Sequence, residues 1–351
     1  MSAPFKFVLP PELSAKEPPE RRGILRDQVR LLVIDRATGN VEHTRFDQID
    51  NYLRKNDLLV FNSSRTLPAS MHGCDCSRKH GPCMEVRLAE RLPDDLWLAL
   101  LLCEKGDPFG CGLQPAMQIQ FAEGLSATVL ERDARIPRLW KLRFSISGTE
   151  LVDLIYRLGK PIRYEYVSAP WDLDYYQTVY ATEPGSAEMP SAGRAFTWKL
   201  LLDLKRRGID AAYVVLHTGL SSYMDDELDA QHPASEEEYF VSATTAEKIA
   251  KARANGGRII AVGTTVVRAL ESIADSDGRV EEAHGYTRLK IDHQHQLRAV
   301  DGLLTGLHEP QASHLDLLSA FLPAEKICAA YQEAIERKYL WHEFGDLNLI
   351  L

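Results

Sequence analysis

The chain has 351 residues, 45% of them hydrophobic and 26% charged, an ordinary balance for a globular protein with room for a large core and a second domain. Its formal net charge of −9, from 41 basic and 50 acidic side chains, argues against a strong non-specific grip on nucleic acid. No apolar run is long enough to span a membrane, and the first residues lack a basic-then-apolar secretory pattern, so a cytoplasmic protein with no membrane partner is expected.

The first elements read as a small α/β start. Residues 29–34 and 41–45 are predicted strands around the Thr38-Gly39-Asn40 turn. A short helix near 47–54 leads to a strand over 57–61. From Thr66 to Gly148 the character changes. Short apolar or alternating runs recur at 84–92, 96–102, 117–121, 127–130 and 139–146, separated by Gly, Pro and Asp. No helical period survives between them, so residues 66–148 read as an inserted small β-barrel or sandwich.

Helical spacing returns after Thr149, where Leu151, Leu154, Ile155 and Leu158 fall on one face and Gly159 and Pro161 end the pattern. A long Tyr-, Pro-, Ser- and Gly-rich loop follows to Gly193, and a loop of that length is usually functional. Then come a helix over 198–207, a strand over 211–216, and a further loop to about Val241. Thr244 and Glu247 suggest a capping box for a helix ending at Gly256. A strand over 258–262 runs into Gly263 and a helix carrying Arg268. Near the end, a strand over 299–304 precedes helices over 313–321 and 323–339, the latter with Pro at its first position. The alternation predicts an α/β fold. Residues 1–65 and 149–351 would form a mainly parallel sheet with flanking helices, and 66–148 the inserted barrel.

Candidate chemistry gathers at predicted strand ends. His217 follows one strand, His308 another, and Gly263, Thr264 and Thr265 open a helix after a third. Open α/β sheets bind ligands beyond the carboxyl ends of their strands. A helix start offers free amide N–H groups and a positive dipole end to a carboxylate or phosphate. Thr264 or Thr265 as a plain N-cap is the structural alternative.

Other patterns carry less. Arg132, Arg135, Arg138, Lys141 and Arg143 form a local basic cluster, diluted by Glu131 and Asp133, and read equally as a solvated strand face. In a cytoplasmic chain six cysteines suggest thiols or metal ligands. Cys74, Cys76, Cys83 and His80 are the candidate set for a structural zinc, although C-x-C is not the usual knuckle spacing. Gly110-Cys111-Gly112 lies in the β-rich insertion and is a turn, not a dinucleotide loop. There is no Walker loop and no G-x-S-x-G elbow. His293 and His295 lack a third ligand.

Several longer motifs together resemble a known family. They are Asp57 to Pro68 (DLLVFNSSRTLP), Tyr176 to Ala181 (YQTVYA), Pro190 to Thr197 (PSAGRAFT), Leu216-His217 with Gly219, Ala261 to Ser272 (AVGTTVVRALES), and Val300 to Thr305 (VDGLLT). His308, Pro310, Ser319 to Phe321 and Gly345-Asp346 continue the correspondence, which runs over nearly the whole length. The chain is similar to the S-adenosylmethionine:tRNA ribosyltransferase-isomerases of queuosine biosynthesis. The resemblance implies an α/β domain with an inserted barrel. It also implies transfer of the ribosyl unit of S-adenosylmethionine, a co-substrate, to the amine of a modified deazaguanine at the tRNA wobble position, giving epoxyqueuosine with release of adenine and methionine. Such chemistry needs a base near the sulfonium, an anchor for the methionine carboxylate and exclusion of water.

On this basis His217 or His308 is the candidate base, with Asp346 to orient it. The helix start at Gly263, Thr264 and Thr265, with Arg268 nearby, is the candidate anion anchor. Arg65, Tyr176, Gln177, Gly193 and Phe196, all within resemblance motifs, complete the candidate binding set.

The departures are concentrated in loops. Arg194-Ala195 stands where the family usually has a leucine–histidine pair. Leu220, Ser221, Ser222 and Tyr223 replace a glycine–threonine–phenylalanine run. Ser235 replaces a second histidine, although His232 and Glu237 remain. His293-Gln294 replaces a Pro-Gly turn, Gly306-Leu307 an asparagine–phenylalanine pair, and Glu309 and Asp316 apolar residues. The pattern leaves two alternatives open: a paralogue using S-adenosylmethionine with a small-molecule amine acceptor, and a non-catalytic nucleoside- or tRNA-binding protein.

Overall fold

Strands Leu58–Asn62 and Ile259–Val262 are apolar on both faces and lie at the centre of a nine-stranded sheet. A computed structural model describes residues 5–77, 81–103, 112–229, 236–310 and 312–351. Four strands, Asp210–Leu216, Leu58–Asn62, Ile259–Val262 and Gly302–Gly306, run parallel and adjacent in that order. Leu58 and Val60 project into a core with Ile249, Val266, Val267 and Leu270 from the helices on one face. Leu59 and Phe61 project to the other, where Phe61 meets Phe196 and Tyr180 at 4.8 and 4.7 Å between ring centroids. Such two-sided burial is what a parallel sheet covered by helices requires, and each large apolar side chain contributes roughly 1.5–3 kcal/mol.

The sheet is mixed, not mainly parallel. On one side Glu237–Val241 and Ala283–Thr287 add antiparallel. On the other, Leu347–Ile350 adds antiparallel to Gly302–Gly306, is parallel to Arg30–Ile34, and Val41–Arg45 closes the edge antiparallel. The difference comes from short strands that carry no clear alternation. Glu237–Val241 ends the segment read as a loop, and Leu347–Ile350 is a four-residue apolar run at the chain's end. The strand expected over 299–304 begins instead at Gly302. The capping box expected at Thr244 lies two residues earlier, where the Ser242 hydroxyl accepts the Thr245 amide.

Residues 70–144 build the expected barrel. Six strands close it: Ser70–Asp75, Cys83–Arg91, Leu96–Cys103, Gln118–Gln120, Ser126–Arg132 and Leu139–Phe144, every pair antiparallel. Helix Gly148–Leu158 lays Leu151, Leu154 and Ile155 against the barrel core.

The cysteines are not arranged for zinc. Cys74 and Cys83, opposite one another on adjacent strands, form a disulfide, which removes two of the proposed thiolate ligands, and Cys76 is an exposed free thiol. His80 and Cys111 lie outside the described residues, as do His232 and Ser235. Among the described residues no cluster of three metal-ligating side chains occurs. No helix of the described residues is long and apolar enough to cross a membrane. Cys103 is also disulfide-bonded, contrary to the expectation of free thiols.

Two predictions test this architecture. Asp57, 1% exposed, accepts the amides of Arg54 and Arg258 and pairs with the Arg258 guanidinium at 2.6 Å. Asp57→Ala should therefore cost about 1–3 kcal/mol in chemical denaturation, because it leaves the amides of Arg54 and Arg258 and a half-buried guanidinium without their acceptor. Elemental analysis of the purified protein should find no stoichiometric zinc, and a chelator should leave its melting temperature unchanged.

Candidate functional site

The four parallel strands end on one rim, and the polar residues begin where the strands stop. Asn62, 1% exposed, is the first polar side chain after Leu58–Phe61. Its amide donates to the Leu216 carbonyl at 2.8 Å and to Thr265 Oγ1 at 3.2 Å, and its oxygen accepts the Ser64 and Leu216 amides. One buried side chain thus ties its own strand end to that of Asp210–Leu216, to the helix start and to Ser64. The motif around Asn62 was legible, but the residue itself was not assigned a role. A lone amide closing an all-apolar strand was the available signal.

His217 sits just past the Asp210–Leu216 strand. Its Nδ1 shares a 2.7 Å hydrogen bond with Ser64 Oγ, which in turn lies 2.5 Å from Ser186 Oγ. A side chain at Gly185 would strike the imidazole ring, so glycine is required beneath it. Burial lowers the His217 pKa below the ordinary imidazole value, against the opposing pull of Glu238. The ring is therefore neutral at neutral pH, and no described residue bonds Nε2. Held through one nitrogen and neutral on the other, it has the state a general base needs.

His308 follows the Gly302–Gly306 strand. Its Nε2 lies 2.8 Å from Thr305 Oγ1, and its ring stacks on His314 at 4.6 Å. Burial, with His314 and His342 nearby, holds its pKa well below the usual value. The two candidate bases are not neighbours. Three strand spacings separate their strands, roughly 14 Å across the sheet, with the Gly263 helix start between them.

The helix start at Gly263, where φ is +100° and favourable to glycine, lacks a side-chain cap for the helix Thr264–Glu271. Its first amide groups therefore have no intrahelical partner. Arg268 is committed elsewhere: its guanidinium pairs with Glu237 and donates to the Leu289 carbonyl at 3.1 Å.

Several other expected site residues make contacts within the fold. Asp346 hydrogen-bonds neither histidine; it accepts the Arg30 and Leu340 amides at 2.8 Å each and joins the chain's two ends. Gln177 brackets both backbone groups of Thr66. Phe196 is wholly buried between Phe46 and Phe61. A side chain at Gly193 would meet the Tyr180 hydroxyl. Tyr176 packs on Phe344 at 5.1 Å, and burial raises its pKa. Arg65 lies over the Tyr156 ring at 5.9 Å, on a three-residue strand paired with residues 183–186. The substitution of Arg194 is neutralised internally, since its guanidinium pairs with Glu20 at 2.9 Å and donates to the Tyr175 carbonyl.

The structure adds residues that the sequence did not single out. Glu188 accepts the Ser221 amide at 2.6 Å and the Tyr164 hydroxyl, while Thr218 Oγ1 donates to the Glu188 carbonyl. Burial pushes the Glu188 carboxyl up to about 8. Tyr166 donates to Glu343 at 2.6 Å and stacks on His342 at 4.0 Å. These groups face the rim from the long loop and the C-terminal segment. Burial raises the Glu343 carboxyl as it raises Glu188, and lowers His217, His308 and His342.

The chain is thus a mixed α/β protein with a polar strand-end rim and an inserted antiparallel barrel, and comparison with known proteins gives its family. Residues 2–350 match the family model described as "Queuosine biosynthesis protein". The chain is 37% identical over 350 residues to the S-adenosylmethionine:tRNA ribosyltransferase-isomerase of Carboxydothermus hydrogenoformans, covering 99% of this chain and 98% of that one. It is also similar to the crystal structure of an S-adenosylmethionine tRNA ribosyltransferase from Thermotoga maritima, with a TM-score of 0.55 and 32% identity over 99% of this chain and all of that one. The chain belongs to the queuosine biosynthesis family.

His342 provides a test of the rim's electrostatics. Burial lowers its pKa to about 4. The folded state then resists the proton that the unfolded state takes up, so stability is full above pH ~6.5 and falls as pH drops toward 4. His342→Gln should flatten that slope by up to roughly 3 kcal/mol, as 1.36 kcal/mol per unit implies, in denaturation series across this range.

Proposed function

We propose that the protein transfers and isomerises the ribosyl unit of S-adenosylmethionine onto the amine of an aminomethyl-deazaguanine in tRNA, forming epoxyqueuosine and releasing adenine and methionine. The observation that carries this reading is His217, neutral, tethered through Nδ1, and set on the rim that also presents the uncapped start of helix Thr264–Glu271. Family membership and the named relatives support it.

In this reading the sulfonium acidifies the adjacent ribose C–H, and a histidine accepts that proton as adenine leaves. The acceptor amine then forms the new bond to the sugar, and methionine departs as the ring rearranges to the epoxycyclopentane. The free amides of Thr264 and Thr265 hold the donor's carboxylate, without help from Arg268. His217 and His308 serve opposite ends of one extended ligand pair and not the same proton, because their strands lie about 14 Å apart. His217 is the better-placed base, since its Nε2 is unbonded among the described residues, whereas His308 Nε2 faces Thr305.

Incubating the protein with S-adenosylmethionine and tRNA carrying the aminomethyl base should release adenine and methionine in equal amounts. His217→Ala and His308→Ala should each lower the rate of adenine release at least about tenfold. Unchanged rates in both would remove the histidine assignment, and no adenine from the unaltered protein would remove the activity.

A further inference from the structure

The barrel meets the rim at one point, and an unpaired carboxyl sits there. Strand Cys83–Arg91 shifts register between Leu88 and Glu90, and such a bulge re-aims the residues that follow it. The next residue inward, Ala89, touches the loop after His217: a side chain at Gly219 would press on the Ala89 carbonyl at 3.3 Å. Glu90 is 9% exposed, and its Oε1 is buried with no hydrogen-bond partner among the described residues.

The neighbouring acids are all engaged. Asp133 accepts the amides of Arg135 and Ile136. Glu236 pairs with Arg135 at 3.3 Å and Arg288 at 2.6 Å, and Glu237 pairs with Arg268. Arg135 reaches Glu90 only through space, and Glu236, Glu237 and Asp133 oppose it there. A buried carboxyl oxygen left without a partner in such a setting calls for an explanation beyond packing. The Tyr223 hydroxyl lies within electrostatic reach of Glu90. Arg91, next in sequence to Glu90, acts in the same way on His217.

We propose that Glu90, through its unpartnered buried oxygen, is the receptor for a cationic amine, the aminomethyl group of the acceptor base. The inference rests on the acceptor chemistry proposed above and assigns its amine subsite. An alkylammonium carries three donors and no acceptor, which suits a carboxyl oxygen left without a donor. Recognition is ion pairing, and the ammonium returns one proton to the Glu90 carboxylate before the neutral amine attacks the sugar. Burial raises the Glu90 carboxyl to about 8 in the empty site, and an ammonium placed against it would draw the proton off.

The test uses the full chain and two anticodon stem-loop RNAs, identical but for the aminomethyl group on the wobble base. The unaltered protein should bind the amine-bearing RNA more tightly. Glu90→Gln should reduce that preference at least about tenfold, as loss of a buried partner for a polar group implies. Glu90→Asp should fall between, and Glu131→Gln, on the exposed barrel surface, should behave as the unaltered protein. A preference kept in both Glu90 variants would overturn the proposal, as would weaker S-adenosylmethionine binding with the RNA preference intact, since the carboxyl would then serve the donor. Should Glu90→Gln fail to fold, Glu90→Asp decides alone. A second measurement does not depend on RNA. Infrared difference spectra on titration with methylammonium should lose the protonated-carboxyl band that Glu90→Asp shifts. A band that persists at saturating amine would refute the subsite, whereas absence of adenine release with the band lost would refute only the proposed reaction.

Discussion

Strands Leu58–Asn62 and Ile259–Val262 are covered on both faces, and that constraint arranges the rest of the molecule. A strand buried on two sides cannot carry a polar side chain along its length without desolvating it. Its residues Leu58 to Phe61 and Ile259 to Val262 are accordingly apolar throughout. Chemistry is displaced to the points where the strands end, and there it appears at once, as Asn62, Gly263, Thr305 and His217. Asn62 makes the transition possible because its one amide satisfies donors and acceptors of several elements.

The barrel supplies what the sheet cannot. The antiparallel edge Glu237–Val241 and the barrel end near Glu90 close over the loop after His217. That loop holds Ser221, Ser222 and Tyr223, the residues that depart from the family's run. They are not merely solvent-exposed replacements. Ser221 bonds Glu188 and Tyr164, Ser222 bonds Asp229, and Tyr223 is buried against the barrel core. The departures therefore form a consistent local network, as the internal neutralisation of Arg194 by Glu20 does elsewhere. Compensated substitutions of this kind preserve the shape of a site while changing its polar lining.

The fold was legible where periodicity was strong. The central strands, the barrel with its short antiparallel runs, and helices Trp198–Arg206 and Ala324–Glu336 all follow from spacing and caps. The mixed character of the sheet was not legible. Leu347–Ile350 sits between Gly302–Gly306 and Arg30–Ile34, the latter near the other end of the chain, and no local pattern records either partner. The same limit applies to the site. His217, His308 and Gly263 could be picked out because they end strands, whereas Asp346 and Arg268 share a motif with site residues yet are bound by Arg30 and Glu237. A motif fixes residue identity; only tertiary pairing tells which members face solvent. Glu90 and Glu188 carried no motif at all, since their significance lies in partners that are absent or buried.

The charge of the rim follows from burial more than from composition. A chain of net charge −9 that acts on tRNA must avoid presenting carboxylates to phosphates. The basic cluster of the barrel does not solve this, because Lys141 pairs with Glu131, Arg135 with Asp133 and Glu236, and Arg138 lies 4.0 Å from Asp225. Desolvation offers another solution. Glu90 and Glu188, both raised to about 8, are largely protonated at neutral pH, and the buried His217 and His308 are uncharged. The junction is then close to electrically neutral toward a polyanion, and its carboxyls acquire charge only against a cation that replaces their protons. Negative charge held in reserve by burial lets one surface tolerate a phosphate backbone and still select an amine.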